Sequence, residues 1–418
     1  MGRKTLASAL VSAILSICHS QVIITKFEDQ SGTVSGNLLH NGGDEPDPDI
    51  YLTTPQIIRR HGYRSESHVV QTTDGYLLTI HRIPQSKNGT QGKQPVFLQH
   101  GLLSSSADFV ISDNKSLAFI LSDLGYDVWL GNSRGNTYSR AHAWLPTNTD
   151  EFWNFTFHEM GVRDLPTALA YVSNVTGLMG DIIYIGHSMG TTMFYSMAST
   201  LPEFTHKHVK VMAGLAPVAY MTYITSPIRY FAPFVNDIQW IAKHLGLREF
   251  LPHGLIMDVL VYNCRQFKFE KEICEQVIFL VCGFDKLQLD KKMLPDILAH
   301  APAGSSTKTV IHYAQEIRHN GDFMQFDYGE KGNLAQYGKS TPPLYNLSSI
   351  NVPAYFMYGE NDWLADEKDV LRLAKDVQIN IGTYKVPFKY FNHVDFLWGR
   401  DAATLVYKPL IDIIQRFR

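Results

Sequence analysis

Charged residues are scarce in this chain, only 18% of 418, and neither sign dominates: 37 Lys and Arg stand against 40 Asp and Glu, a formal net charge of −3. Without a basic excess or a basic stripe there is no electrostatic footprint for phosphate contacts, so no nucleic-acid partner is expected. Four cysteines in so long a chain exclude a mini-scaffold built on disulfides. Past the first twenty residues, no apolar run approaches the roughly twenty residues that a membrane-spanning helix needs; the most apolar, residues 277–284, stops short, and no transmembrane anchor is expected. An H-E-x-x-H pattern, a P-loop and a dinucleotide fingerprint are all absent, so neither a metal nor a cofactor is expected.

What the chain does have is apolar mass. Hydrophobic residues make up 45% of it, enough for one large core or two smaller ones. At the start, Arg3 and Lys4 precede a mostly apolar run over 6–18, and Cys18 and Ser20 put small residues at the −3 and −1 positions of a cleavage site. Residues 1–20 therefore read as a secretory signal peptide, and 21–46 as a pro-like or flexible segment. The mature chain is expected in the extracellular space or the lysosomal lumen. Five sequons then become candidate glycosylation sites, at Asn88, Asn114, Asn154, Asn174 and Asn346; Asn154, between Trp153 and Phe155, is the least favoured. Three cysteines remain after cleavage, Cys264, Cys274 and Cys282, and an odd number in an oxidising compartment leaves one thiol over or paired elsewhere.

Short β-rich apolar runs recur at 68–72, 77–83, 96–99, 127–130, 182–185, 209–215, 354–358 and 385–391, with helix-period stretches such as 115–124 and 162–172 between them. Alternation of this kind predicts an α/β fold with a mostly parallel central sheet flanked by helices. The core is expected to occupy 47–217 and 308–418. Residues 218–307 interrupt it where a βα loop of about two to six residues would normally sit. Within that insert Phe234, Ile238, Ile241 and Leu245 share a helical stripe beside Trp240, with Asp237, Lys243 and His244 elsewhere.

The strongest chemical signal is Gly186-His187-Ser188-Met189-Gly190, preceded by the apolar run 181–185 and followed by a helix-like stretch. Strand, sharp turn and helix are the context in which a G-x-S-x-G nucleophile elbow exposes its serine. Serine needs a base, and the base an orienting acid. In the fold that uses this elbow they come in the order acid, then histidine. Asp362, just past the strand 354–358, is the candidate acid, with Asp366 and Asp395 in reserve. Of the histidines after the insert, His393 alone lies beyond Asp362. The amide of Met189 and one from the early loop His100-Gly101-Leu102, that of Leu102, are the candidate oxyanion donors.

These residues, with longer ordered strings around them, carry a resemblance. Thr73-Asp74-Gly75-Tyr76, Gly131-Asn132-Ser133-Arg134-Gly135-Asn136, Asp164-Leu165-Pro166, His300-Ala301-Pro302 and Asn392-His393-Val394-Asp395 all resemble the acid lipase family of α/β-hydrolases. The likeness runs from about residue 47 onward. It implies the same five site residues, an insert forming a helical cap and lid, a disulfide between Cys264 and Cys274, and a free Cys282. It also implies lipid esters, triacylglycerols or sterol esters, met at an interface, and activity at acidic pH. Met189 departs from the Gln that many members carry. The competing readings are an esterase for soluble short-chain esters and a non-catalytic lipid-binding protein of the same fold.

Overall fold

Eight strands form one sheet in the computed structural model, which describes residues 48–252 and 279–418. The signal peptide, the segment 21–46, and both Cys264 and Cys274 lie outside the described residues. In chain order the strands are β1 (Glu66–Gln71), β2 (Leu77–Ile83), β3 (Pro95–Gln99), β4 (Asp127–Leu130), β5 (Ile182–His187), β6 (Val209–Leu215), a small antiparallel pair β7 (Glu249–Phe250) and β8 (Ser305–Ser306), then β9 (Ala354–Tyr358) and β10 (Asn380–Lys385). Their order across the large sheet is β1-β2-β4-β3-β5-β6-β9-β10. β1 and β2 are antiparallel; from β4 to β10 every neighbouring pair is parallel.

The physical reason is visible in the composition of the central strands. β3, β4, β5 and β9 are buried at every position, as strands must be when helices cover both faces of a sheet. Their apolar side chains, with Trp129, Phe97 and Tyr184 among the largest fully buried, each contribute about 1.5–3 kcal/mol by leaving water. Seven of the eight expected strands are present, with ends shifted by up to two residues.

The exception is the last. The apolar run predicts a strand over 385–391, but β10 occupies Asn380–Lys385. Its alternation is interrupted by Gly382, where the register against β9 shifts, and its outer face is exposed, so it reads as turn-rich from sequence. The run after it contains Pro387, which has no amide to give a ladder. There the chain turns back through the bonds Phe388 N–H to Val386 O and Phe391 N–H to Phe388 O.

Between β6 and β9 the chain makes its long excursion. Helix Val235–Leu245 forms as its spacing predicts, but it is anchored by Val235, which packs with Ile311 of helix Thr307–Arg318 and with Phe326. Of the stripe that the spacing marks, Phe234, Ile241 and Leu245 are 51%, 36% and 60% exposed and Ile238 is half-buried, with Trp240 beside them 62% exposed, while Val235 and Ala242 are buried. Among the described residues no helix is long and apolar enough to cross a membrane.

Candidate active site

The parallel strands bring four loops to one edge of the sheet, where their carboxyl ends lie. At the end of β5, Ser188 adopts φ 53° and ψ −121°, and helix Met189–Thr200 starts at the next residue. A non-glycine residue with such angles is strained and persists only where its surroundings hold it. They do: the Ser188 amide donates to Leu215 O of β6, and Ser188 O accepts from the Thr191 amide and hydroxyl. The flanking glycines have a steric cause. A Cβ on Gly190 would stand 2.4 Å from the Gln99 carbonyl oxygen of β3, and one on Gly186 2.9 Å from the backbone of Gly190.

His393 comes after β10 and Asp362 after β9. His393 Nε2 lies 2.7 Å from Ser188 Oγ, and His393 Nδ1 lies 3.0 and 2.9 Å from the two oxygens of Asp362. Nδ1–H donates to the carboxylate, which leaves Nε2 to accept from the serine hydroxyl. Asp362 is itself fixed by the amides of Leu364 and Ala365, both on Oδ1. The reserve acids are elsewhere: Asp366 caps helix Glu367–Asp376 through the Lys368 amide, and Asp395 accepts the Asn392 amide.

After β3, the backbone at Gly101 passes so close that a Cβ there would be 3.0 Å from Ser188 Cβ and 3.5 Å from its Oγ. Neither the Leu102 amide nor the Met189 amide donates to any group among the described residues. His100 holds this loop. Its Nε2 accepts the Ser133 amide and lies 3.2 Å from Asn136 Nδ2, so the proton sits on Nδ1 and is donated to Gly101 O at 2.8 Å. Burial keeps this imidazole neutral, lowering its pKa to about 4. Three strings of the resemblance meet behind it: Arg134 is fully buried between Asp74 and Asp164 and stacks 3.9 Å above the Tyr76 ring.

Some neighbours were not legible. His187 Nε2–H donates to His393 O at 2.9 Å, and burial lowers that imidazole to about 3. Residues 282–289 run along both the acid and histidine loops. Cys282, one of the sequence candidates, is free and buried there; burial pushes its thiol far up, so it is inert as a nucleophile. All five sequon asparagines, Asn88, Asn114, Asn154, Asn174 and Asn346, are exposed. For a metal, the donor atoms that converge among the described residues belong to Asp49, His61 and Asp113, far in sequence from the serine; Arg60 pairs with Asp49, which already supplies the positive charge.

Comparison with known proteins gives the family of the chain. A family model described as a partial alpha/beta-hydrolase lipase region matches residues 54–113, and one for the alpha/beta hydrolase fold matches 94–234. Human lysosomal acid lipase/cholesteryl ester hydrolase is 36% identical over 377 residues, covering 89% of this chain and 93% of that one. This chain belongs to the acid lipase family. Human gastric triacylglycerol lipase, 36% identical over 92% of this chain and 95% of its own, and Lipase 3 of Drosophila melanogaster, 41% identical over 86% and 92%, are similar to it as well. The lipase is thus a serine ester hydrolase with the α/β-hydrolase fold.

Proposed function

We propose that this lipase hydrolyses lipid esters, triacylglycerols or sterol esters, through an acyl-enzyme carried on Ser188. The observation that carries the assignment is the continuous relay from Ser188 Oγ through His393 to Asp362, closed by hydrogen bonds of 2.7 to 3.0 Å. Ser188 Oγ attacks the ester carbonyl carbon while His393 Nε2 takes its proton, and Asp362 holds the imidazolium that results. The carbonyl oxygen becomes an oxyanion and accepts from the free amides of Leu102 and Met189, each worth about 10²–10³ in rate. His393 then gives its proton to the departing alcohol oxygen as the C–O bond breaks. Water, deprotonated by His393, attacks the acyl carbon, and Ser188 leaves with that proton as the fatty acid departs. Since Met189 would serve through its backbone, its side chain is no obstacle.

The relatives' names supply the substrate class, and the exposed apolar stripe on helix Val235–Leu245 supports a substrate met as an oily surface, with this insert as a cap and lid. Secretion or lysosomal delivery and use of the five exposed sequons go with the leader-like residues 1–20, and a Cys264–Cys274 disulfide with the free Cys282. A fluorophosphonate probe should label Ser188 alone, and Ser188→Ala should lose activity by about 10⁶-fold with the fold intact. Labelling or ordinary turnover by the alanine variant would remove Ser188 from its role. An esterase for dissolved substrates would show smooth saturation, whereas a lipase should accelerate once a medium-chain triacylglycerol exceeds its solubility limit.

A further inference from the structure

We propose that residues 282–289 are a positioning strap for His393 and Asp362, and that Asp285 and Asp395 make its closure depend on one shared proton. The inference rests on the assignment of Ser188, His393 and Asp362 above. Its first support is the seam itself. Cys282 O accepts the amides of both Trp363 and His393, each at 3.4 Å, so one carbonyl touches the acid loop and the histidine loop together. Gly283 O accepts from Asn392 Nδ2 and Phe284 O from Asn361 Nδ2, both at 2.9 Å. Further along, Gln288 O accepts the Arg400 amide, Gln288 Oε1 accepts the Asp401 amide, and Gln288 Nε2 donates to Asp401. Approach is so close that a Cβ on Gly283, whose φ is +111°, would fall 2.2 Å from Asn361 O. The strap therefore bridges two loops that the sheet alone leaves separate, because one comes after β9 and the other after β10.

The second support is what lies in the middle of the seam. Asp285 and Asp395 are 1% and 3% exposed, and their carboxyls are within hydrogen-bond reach of each other. Asp285 Oδ1 accepts the amides of Leu287 and Gln288, while its buried Oδ2 has no amide, hydroxyl or cationic donor among the described residues. Asp395 Oδ2 accepts the Asn392 amide, next to His393. Two buried carboxylates cannot face each other without a proton between them. No lysine or arginine forms a salt bridge with either among the described residues. The titratable groups that neighbouring segments turn toward the pair are Asp362, also an acid, His393, committed to Asp362, Cys282, buried as a thiol, and Asp401, engaged by Gln288; Lys286 is exposed. Burial raises both carboxyls, and Asp285 raises Asp395 further.

With one proton the pair is a hydrogen bond joining strap to histidine loop; without it, two like charges push the strap off the loop that carries His393. The bond is present at low pH and is lost as pH rises through the raised value, so the site is best assembled in acid. Asp285→Asn and Asp395→Asn each supply a permanent N–H donor while the remaining oxygen still accepts the local amides. With p-nitrophenyl butyrate, each variant's kcat/KM profile, scaled to its own maximum, should move its alkaline limb up by about one pH unit or more. A limb at the wild-type position in both variants, or a wild type with no alkaline limb, overturns the proposal. Should the variants not fold, hydrogen exchange of the wild type decides: corrected for intrinsic rates, protection at 283–288 and 392–401 should fall over the same pH range, and constant protection refutes the switch. Fluorophosphonate labelling of Ser188, compared with Ser188→Ala, keeps failure of the triad assignment separate from failure of the strap.

Discussion

Arg134 touches no reacting atom, yet the site hangs on it. It fixes the loop whose Ser133 amide holds His100, and His100 in turn holds Gly101 beside Ser188. Its guanidinium fork spans Asp74 and Asp164, which a lysine's single ammonium cannot do. Arg134→Met leaves the buried Asp164 without its cation and Asp74 with only the half-exposed Arg163, and should destabilise the protein by about 3–5 kcal/mol, read from its urea midpoint. Arg134→Lys should recover only part of that. If the methionine variant melts with the wild type, the ion-pair cluster is not structural. Gly190→Ala tests the elbow differently: with Gln99 O only 2.4 Å from the new methyl, β3 or the helix must shift, and fluorophosphonate labelling should disappear.

At the scale of elements, helix Val235–Leu245 was half legible. Helical spacing gave its place and length, since amphipathic periodicity is local. Which side turns inward was not available locally, because Val235 is buried by Ile311 and Phe326, far along the chain. The outward stripe yields a prediction: Trp240→Ser with Leu245→Ser removes no core packing, only the contact of the Trp240 ring with His244 on the same helix, so stability should change by less than about 0.5 kcal/mol per site. The rate rise at the triacylglycerol solubility limit should shrink, with Ser188 labelling unaffected. A full rise would mean that the stripe does not meet the lipid. The same contrast explains the site. Ser188, Asp362 and His393 were readable because the elbow fixes the strand, and the fold fixes the chain order of acid and histidine after it. The strap was not, since nothing near Asp285 in sequence announces a facing acid at Asp395. β10 was misplaced because Gly382 and an exposed edge hide its alternation.

The whole molecule balances two sets of buried groups against pH. Burial holds His81 and His100 at about 4 and His187 and His312 at about 3, against an ordinary 6.5. Each favours folding fully above 6.5, and that contribution is lost as pH falls through the folded value. Several carboxyls run the opposite way. Burial raises Asp108 to about 7 and Asp369 to about 6, and takes Glu316 and Asp395 well above their range. Their contribution is full near pH 4 and is lost as pH rises through the folded values. Between about 4 and 6.5 the two slopes oppose each other in similar number, and above 6.5 only the carboxyls still change. The melting temperature should therefore be nearly flat from pH 4 to 6.5 and fall beyond it. A steady climb to pH 8 would contradict this balance.

His393 reaches Ser188 across a separation of 205 residues, from a loop beyond the outermost strand of the parallel edge. During refolding from denaturant, the elbow can be complete while its serine is still inert. Turnover then serves as a clock for the final docking step: recovery of activity should lag behind burial of the tryptophan in β4, and any species trapped with β10 undocked would be compact, native-like by absorbance, and silent toward the probe.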